Sequence, residues 1–502
     1  MGALHVAVGG SAAVVTSDLF ATQAALRILK QGGSATDALV AAAAVQCVVE
    51  NGSTTIAGFW TSNSFDIGTG ITTTVTGKIG AAAGEPYDYA WESAEAYSGA
   101  AMPVPGWPAG AHRAWEISGR LGWSEILQPA IAFAEDGFEL DPATYMRVRS
   151  SAVAARTEAG RRLWMRDGRY LEVGETVRQP ALAQTLRDLA EGGPGAFYEG
   201  AFAQEYVRLA RELGGHLTMA DLAGWRERAR SFDAPLVGDY FGYEIGSEGA
   251  LLVYALHLCQ AANIGSLDDA EAAWAQFRIL EETFHATREY SSATHDRFID
   301  PGYAAHRLER VLNGPLRPTS FELFWTNTNT LVVRDADGSV AWLVHSINTP
   351  NLFGAGILAG GAYAVRAVNG DHARTGDLLA PGLFSKVALF REGKPYAIAA
   401  SPGASCVHSP LAFLVALVQR RLEPAAAVAA PRFALPGPLT ADRHGFESHY
   451  PRAVFAMLEE RGVPYFECSP SAHTGRVTAM VIEDERVTAV HDARSDGAAA
   501  VL

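Results

Sequence analysis

Residues 325–344 read Trp325-Thr326-Asn327-Thr328-Asn329-Thr330-Leu331-Val332-Val333-Arg334-Asp335-Ala336-Asp337-Gly338-Ser339-Val340-Ala341-Trp342-Leu343-Val344. Two apolar, β-branched runs separated by Asp-Ala-Asp-Gly have the pattern of a hairpin, because Asp and Gly supply the backbone conformations that reverse a strand. With Asp335–Gly338 as the turn, Arg334 lies opposite Ser339 and the strands run back along each other. Thr328 then faces roughly His345, with Ser346 and Asn348 beside it. Alternating Thr and Asn at the start of a strand is ordinary edge-strand chemistry when taken alone. In this company it becomes a cluster of small hydroxyls with an amide donor, at the open end of a hairpin.

The rest of the chain supplies layers to cover such a sheet. Apolar residues at helical spacing from Ala21 to Lys30 end at Gln31-Gly32-Gly33, a left-handed stop. Ser34, with Asp37 three residues on, is a cap for a second helix whose Ala38–Val49 stretch is apolar nearly all round, so that helix is central. Gly52–Gly80 reads as strands and hairpins, and Pro103–Pro108 as a rigid connector. Helices dominate from Ala109 to Arg230 and again over Asp268–Ser291. A later strand at Ala388–Phe390 precedes a helix over Ser409–Arg421. Strand-rich segments near both ends, with helices between, fit layered α and β structure.

Composition narrows the function. The 502 residues are 48% hydrophobic and 19% charged, so the chain buries large cores; its length suits roughly three domains or one intertwined fold. Forty Lys and Arg against 55 Asp and Glu give a net charge of −15, which disfavours nucleic acid and anionic membranes as partners. Cys47, Cys259, Cys406 and Cys468 are far apart and read as reduced core thiols. The start, Met1-Gly-Ala-Leu-His-Val-Ala-Val, lacks a basic segment followed by an apolar run, so a cytoplasmic location is expected. The longest apolar run, Ala38–Val45, stops at Gln46 and is too short to span a bilayer.

Two familiar site types are weak here. His285 has Glu281 and Glu289 four residues away on one helical face, but such pairs are common on helices and no third ligand stands near, so no metal or other cofactor is expected. Ser401-Pro-Gly-Ala-Ser405 lacks the Gly-x-Ser-x-Gly pattern of a nucleophile elbow.

Several stretches, in this order along the chain, carry a resemblance: Leu26–Asp37, Gln128–Phe138, Gly195–Gly200, Gly215–Leu222, Ser401–Ser405, Ala430–Phe433 and Asp496–Ala499. Through them the chain resembles the gamma-glutamyltransferase family of N-terminal nucleophile hydrolases. That resemblance implies a four-layer αββα sandwich and a precursor that cleaves itself before a Thr, which becomes the new N-terminus and the nucleophile. Anchoring on Asp337-Gly338, and on Asn348 with Phe353-Gly354, puts this Thr at Thr328, so that the fragments are 1–327 and 328–502 of one intertwined domain. In the same register Ser346 stands where the family has a second Thr that hydrogen-bonds the nucleophile, and Asn348 where it has a substrate-binding Asn. Gly403 and Ala404 take the place of the oxyanion-hole Gly pair, Asn369 that of a Gln, and Asp371 with His372 that of an Asp pair.

The sequence departs from the family at the substrate carboxylate. The family's Arg-Glu-x-Ala-Pro segment is here Ala81-Ala-Ala-Gly-Glu-Pro86, its Ser-Ser pair falls on Gly382-Leu383, and Arg366 is a candidate replacement anchor. The expected activity is therefore hydrolysis of an activated carbonyl compound with altered specificity, with C–C bond cleavage in a bacterial biosynthetic pathway, such as antibiotic biosynthesis, as the leading form. A specialised amidase or gamma-glutamyl hydrolase/transferase, and an unprocessed, inactive binding homologue, are the alternatives. Expected partners are a small-molecule substrate and the two fragments of the precursor, with a homodimer left open.

Overall fold

Gln31-Gly32-Gly33 ends one helix and Ser34 begins the next. In the computed structural model, which describes residues 4–85, 87, 93–234, 236–247, 249–317, 328–347, 352–367, 386–402, 407–436, 443–471, 474–484 and 486–502, the first is α1, Leu19–Lys30, and the second is α2, Ala35–Val49. Gly32 takes a φ of +85°, and the Gly33 amide closes back onto the Ile28 carbonyl at 3.0 Å. Ser34 Oγ accepts from the Asp37 amide (3.0 Å) while Asp37 Oδ2 accepts from the Ser34 amide (2.9 Å), a complete capping box worth about 1 kcal/mol. All fifteen residues of α2 are buried, as its all-round apolar pattern requires.

The chain divides into two compact units, each assembled from separate stretches: residues 18–233 with 326–378, and residues 1–17 with 234–325 and 379–502. The first unit holds an antiparallel sheet in the order Thr328–Arg334, Val340–Ser346, Phe59–Phe65, Thr72–Gly77, Ala229–Asp233. Helix α2 packs on the first two of these strands. Residues on both sides of position 327 thus share this unit.

The hairpin forms where the sequence places it, with the register shifted by one. Arg334 pairs with Val340 and Thr328 with Ser346, rather than Arg334 with Ser339 and Thr328 with His345. The cause is the turn. Asp335 and Ser339 still pair, through Asp335 N–H to the Ser339 carbonyl (3.0 Å), so the loop is Ala336–Gly338, with Gly338 at φ +99°. Asp335 Oδ1 accepts from the Asp337 and Ser339 amides, and its Oδ2 accepts from the Ala35 amide at the start of α2. A three-residue loop with Gly in the left-handed conformation is a stable hairpin solution, and moving the pairing by one residue changes which residues stand opposite.

The second unit has a seven-stranded antiparallel sheet, in the order His5–Val8, Arg486–His491, Thr478–Glu483, Lys394–Ala400, Lys386–Arg391, Tyr243–Gly246, Leu236–Tyr240. Asp268 caps the helix Asp269–Ala286. The helix expected over Ser409–Arg421 runs from His408 to Leu414 and continues as a π turn, Val415–Gln419. Gln419 Nε2 there donates to Tyr240 Oη and the Cys259 carbonyl.

A buried ion network holds the last part of this unit together. Arg432, wholly buried, pairs with Asp492 and donates to the Val428 and Gly475 carbonyls; Arg494 binds both oxygens of Glu447 at 2.6 Å and reaches Asp492 at 3.0 Å. Burial pushes the Asp492 carboxyl up, but the two guanidinium groups outweigh it and hold it below the usual carboxylate range. Its contribution to stability is therefore present above that range and is lost as the pH falls through the lowered value. Replacing Arg432 with Leu leaves buried negative charge undercompensated, and a loss of about 3–5 kcal/mol is expected. Denaturant unfolding of the two proteins side by side measures it.

Among the described residues no helix is long and apolar enough to cross a membrane. Cys47, Cys259 and Cys468 are free thiols, the first two buried, and Cys406 lies outside the described residues.

Candidate active site

Thr328 is the first described residue of its strand and Ser346 the last residue of the strand beside it. Because they are directly paired, their side chains leave the sheet on the same face. Thr328 Oγ1–H donates to Ser346 Oγ at 3.0 Å, with Thr328 only 5% exposed and Ser346 fully buried. The next strand fixes this rung from the side: Gly58 approaches so closely that a Cβ there would lie 2.2 Å from the Ser346 carbonyl oxygen. The Gly58 carbonyl accepts from the Gly106 and Trp107 amides, and the Ile347 amide donates to the Ser53 carbonyl at 3.1 Å. Two buried hydroxyls in contact are suited to nucleophilic attack once a base stands near.

His345 points to the opposite face, as alternation along a strand demands. Trp107 Nε1–H donates to its Nδ1 (3.1 Å), the Thr54 hydroxyl is 3.0 Å from the same nitrogen, and Nε2 lies 2.7 Å from Gln46 Oε1. Indole is only a donor, so Nδ1 is bare and Nε2 carries the proton. Burial drives the imidazole pKa down to about 3, so His345 is neutral at working pH and takes no part as a proton carrier. Asn329, paired with His345, is fully buried, and neither polar atom of its amide has a hydrogen-bond partner among the described residues. Such a group costs about 1–3 kcal/mol, so this segment is not chosen for stability alone.

This polar cluster leaves little trace in the linear sequence. Its one visible signal was Gln46, which interrupts an otherwise apolar helix; Trp107 lay in the stretch read as a connector and is instead the first residue of helix α3, Trp107–Ser118.

Of the other expected site residues, Asn348, Asn369, Asp371, Gly403 and Ala404 lie outside the described residues, as do His372 and the Gly382-Leu383 pair. Arg366 is described and buried; its guanidinium lies over the Tyr97 ring at 4.4 Å, and the Ala367 amide is tied to the Ala101 carbonyl at 2.8 Å. Burial lowers its pKa. The segment from Ala81 contains no Arg, but the tertiary fold brings one against its edge: Arg228, distant in sequence, lies with Nη1 1.4 Å from where a Cβ on Gly80 would be. Arg228 Nη2 donates to the Asp221 carbonyl, while the Asp221 carboxylate accepts from the Ala83 amide.

The carboxylates beside His285 are engaged by cations. Glu281 pairs with Arg278 and Glu289 with Arg297, while the adjacent Glu282 pairs with Arg307 and Arg317. Among the described residues no three His, Cys, Asp or Glu side chains gather to hold a metal ion.

Comparison with known proteins now adds to this geometry. The family model for gamma-glutamyltranspeptidase matches residues 21–362 and 379–502. The glutathione hydrolase proenzyme of Escherichia coli is 26% identical over 84% of the chain and 80% of its own length. The corresponding proenzyme of Bacillus subtilis is also 26% identical, over 99% of the chain and 92% of its own length. Among solved structures, a cephalosporin acylase from Bacillus halodurans superimposes with a TM-score of 0.82, covering 99% of the chain and 97% of the acylase at 22% identity. The fold is thus that of this acylase, mixed helices and antiparallel sheets, in keeping with the α/β class expected from the sequence.

Proposed function

The chain belongs to the gamma-glutamyltranspeptidase family, and from that membership we propose that it is a self-processing hydrolase whose nucleophile is the hydroxyl of Thr328, freed by cleavage after Asn327. The observation that carries this reading is the buried contact between the Thr328 and Ser346 hydroxyls at 3.0 Å. The name proenzyme given to the E. coli and B. subtilis relatives is in keeping with it. A Thr hydroxyl is a poor nucleophile, but an α-amine released on the same residue, with a pKa near about 8, is a base within reach of its own Oγ. Ser346 then orients that oxygen, and the amides of Gly403 and Ala404 donate to the oxyanion of the tetrahedral intermediate. Ala at position 404 keeps the N–H on which this role depends.

The substrate we propose is a small molecule with an activated carbonyl, which Asn348, Asn369, Asp371 and Arg366 help to hold. Hydrolysis of a C–C bond next to that carbonyl, in a biosynthetic pathway, is its most specific form. What supports altered specificity is the sequence from Ala81 to Pro86 and at Gly382-Leu383, where the family's carboxylate-binding groups have no counterpart. A second reading, gamma-glutamyl hydrolysis or transfer, is favoured by the relatives named glutathione hydrolases.

Purified full-length protein run on a denaturing gel is expected to give two bands, and mass spectrometry to find Thr328 at the new N-terminus. A single band after prolonged incubation would favour the unprocessed binding homologue. A terminus at Thr326 or Thr330 would move the nucleophile.

A further inference from the structure

The rung that carries Thr328 and Ser346 is the last described rung of its two strands. Something must hold Ser346 still if its hydroxyl is to meet that of Thr328. On the opposite face the neighbouring His345 is fully buried and tied to three separate parts of its unit: Gln46 on α2, Thr54 in the loop after it, and Trp107 at the first turn of α3. Trp107 is itself fixed, its indole edge-on to Trp60 (5.4 Å, 88°) and its amide donating to the Gly58 carbonyl. Trp60 pairs with His345 across the sheet, which closes the loop of contacts. An imidazole with an acceptor nitrogen and a donor nitrogen, each satisfied by a different element, admits one tautomer and one ring orientation.

We propose that His345 is a positioning residue: its polar tethers lock the strand end so that Ser346 Oγ holds Thr328 Oγ1 in the attacking orientation. The inference rests on Thr328 being the nucleophile. His345 never reaches the reacting atoms, since it faces away from them, and it does not act as an acid or base. Its effect is on geometry alone, and small displacements of a reacting group cost about 10²-fold in rate.

The test uses full-length protein with His345→Phe, His345→Gln and Trp107→Phe. Rates are expressed per mole of exposed N-terminal Thr, and the self-cleavage rate of each precursor is followed separately. His345→Phe keeps a ring and removes the tethers; kcat is expected to fall about 10- to 100-fold with KM nearly unchanged, and self-cleavage to slow. His345→Gln keeps an amide donor for Gln46 and a carbonyl for Trp107, and should recover much of the lost kcat. Trp107→Phe keeps an aromatic ring at that position and deletes one donor, so it reads the tether even if the His345 variants fold poorly; a smaller fall in kcat with unchanged KM is expected. The acid limb of the kcat–pH profile should not move in any variant. Unchanged kcat per processed chain in His345→Phe, or equal losses in the Phe and Gln variants, would overturn the proposal, because a ring that only fills space is not rescued by an amide.

A readout that does not depend on turnover separates this proposal from the functional reading. In 15N-histidine-labelled protein the His345 imidazole, assigned by its absence from His345→Phe, should stay as the neutral Nε2–H tautomer down to about pH 4, in keeping with its lowered pKa. A ring at position 345 that titrates near 6.5, or carries its proton on Nδ1, sinks the tether model. Failure of the wild-type chain to cleave itself, with that signal intact, would instead sink the choice of nucleophile.

Discussion

Thr328→Ala is expected to remain a single uncut chain and to lose about 10⁴- to 10⁶-fold in kcat, the scale seen when a catalytic nucleophile is removed. One substitution removes two functions here. On the proposed mechanism the Thr328 hydroxyl attacks the preceding carbonyl, the C–N bond breaks to free the α-amine and water hydrolyses the resulting ester; the same hydroxyl, activated by that amine, would then attack the substrate. Thr328→Ser keeps the oxygen and loses only the methyl, so it should still cut, more slowly. Ser346→Ala should keep the cleavage site but lose the contact made at 3.0 Å, so its defect is expected to be smaller than that of Thr328→Ala. Gels of the three precursors, with kcat measured on whatever processed enzyme forms, check this order. Full self-cleavage in Thr328→Ala would exclude Thr328 as the nucleophile.

Gamma-glutamyl substrates are expected to be turned over orders of magnitude less efficiently than an activated carbonyl compound that carries no amino-acid carboxylate. A hydrogen bond to a charged group contributes about 1.5–3 kcal/mol, so two missing anchors amount to a 10²- to 10⁴-fold loss in kcat/KM. The segment from Ala81 is held by other means: Tyr87 Oη accepts from the Ala82 amide, Asp221 from the Ala83 amide, and Glu85 pairs with His216. The measurement is kcat/KM for a gamma-glutamyl anilide, a simple amide and an activated β-dicarbonyl compound on the same preparation. Efficient gamma-glutamyl turnover would refute the altered specificity. If that turnover then disappeared in Arg228→Ala or in Arg366→Ala, the arginine concerned would be identified as the carboxylate anchor.

Much was legible in the linear sequence because it depends on neighbours in the chain. The stop at Gly32-Gly33, the capping box of Ser34 and Asp37, and the all-buried helix after it follow from residues within one or two turns of one another. The hairpin at Asp335–Ser339 is equally local and brings Thr328 and Ser346 to the same end, but their direct pairing on one face depends on the exact register. Its register needed the fold, since the Asp335 carboxylate accepts not only from its own turn but also from the amide of Ala35, 300 positions earlier.

What the sequence by itself determined is the family, the layered α and β composition, and the pair of hydroxyls at the mouth of one hairpin. Each of these is carried by short-range patterning or by the order of motifs along the chain. The tertiary structure alone decided the surroundings of that pair. Gln46, Thr54 and Trp107 converge on His345 from three elements, and Arg228, far along the chain, lies against Gly80. The physical reason is the same in both cases. A buried polar or charged group must be satisfied, its partner can come from any element packed within hydrogen-bond reach, and separation along the chain carries no information about which one that is.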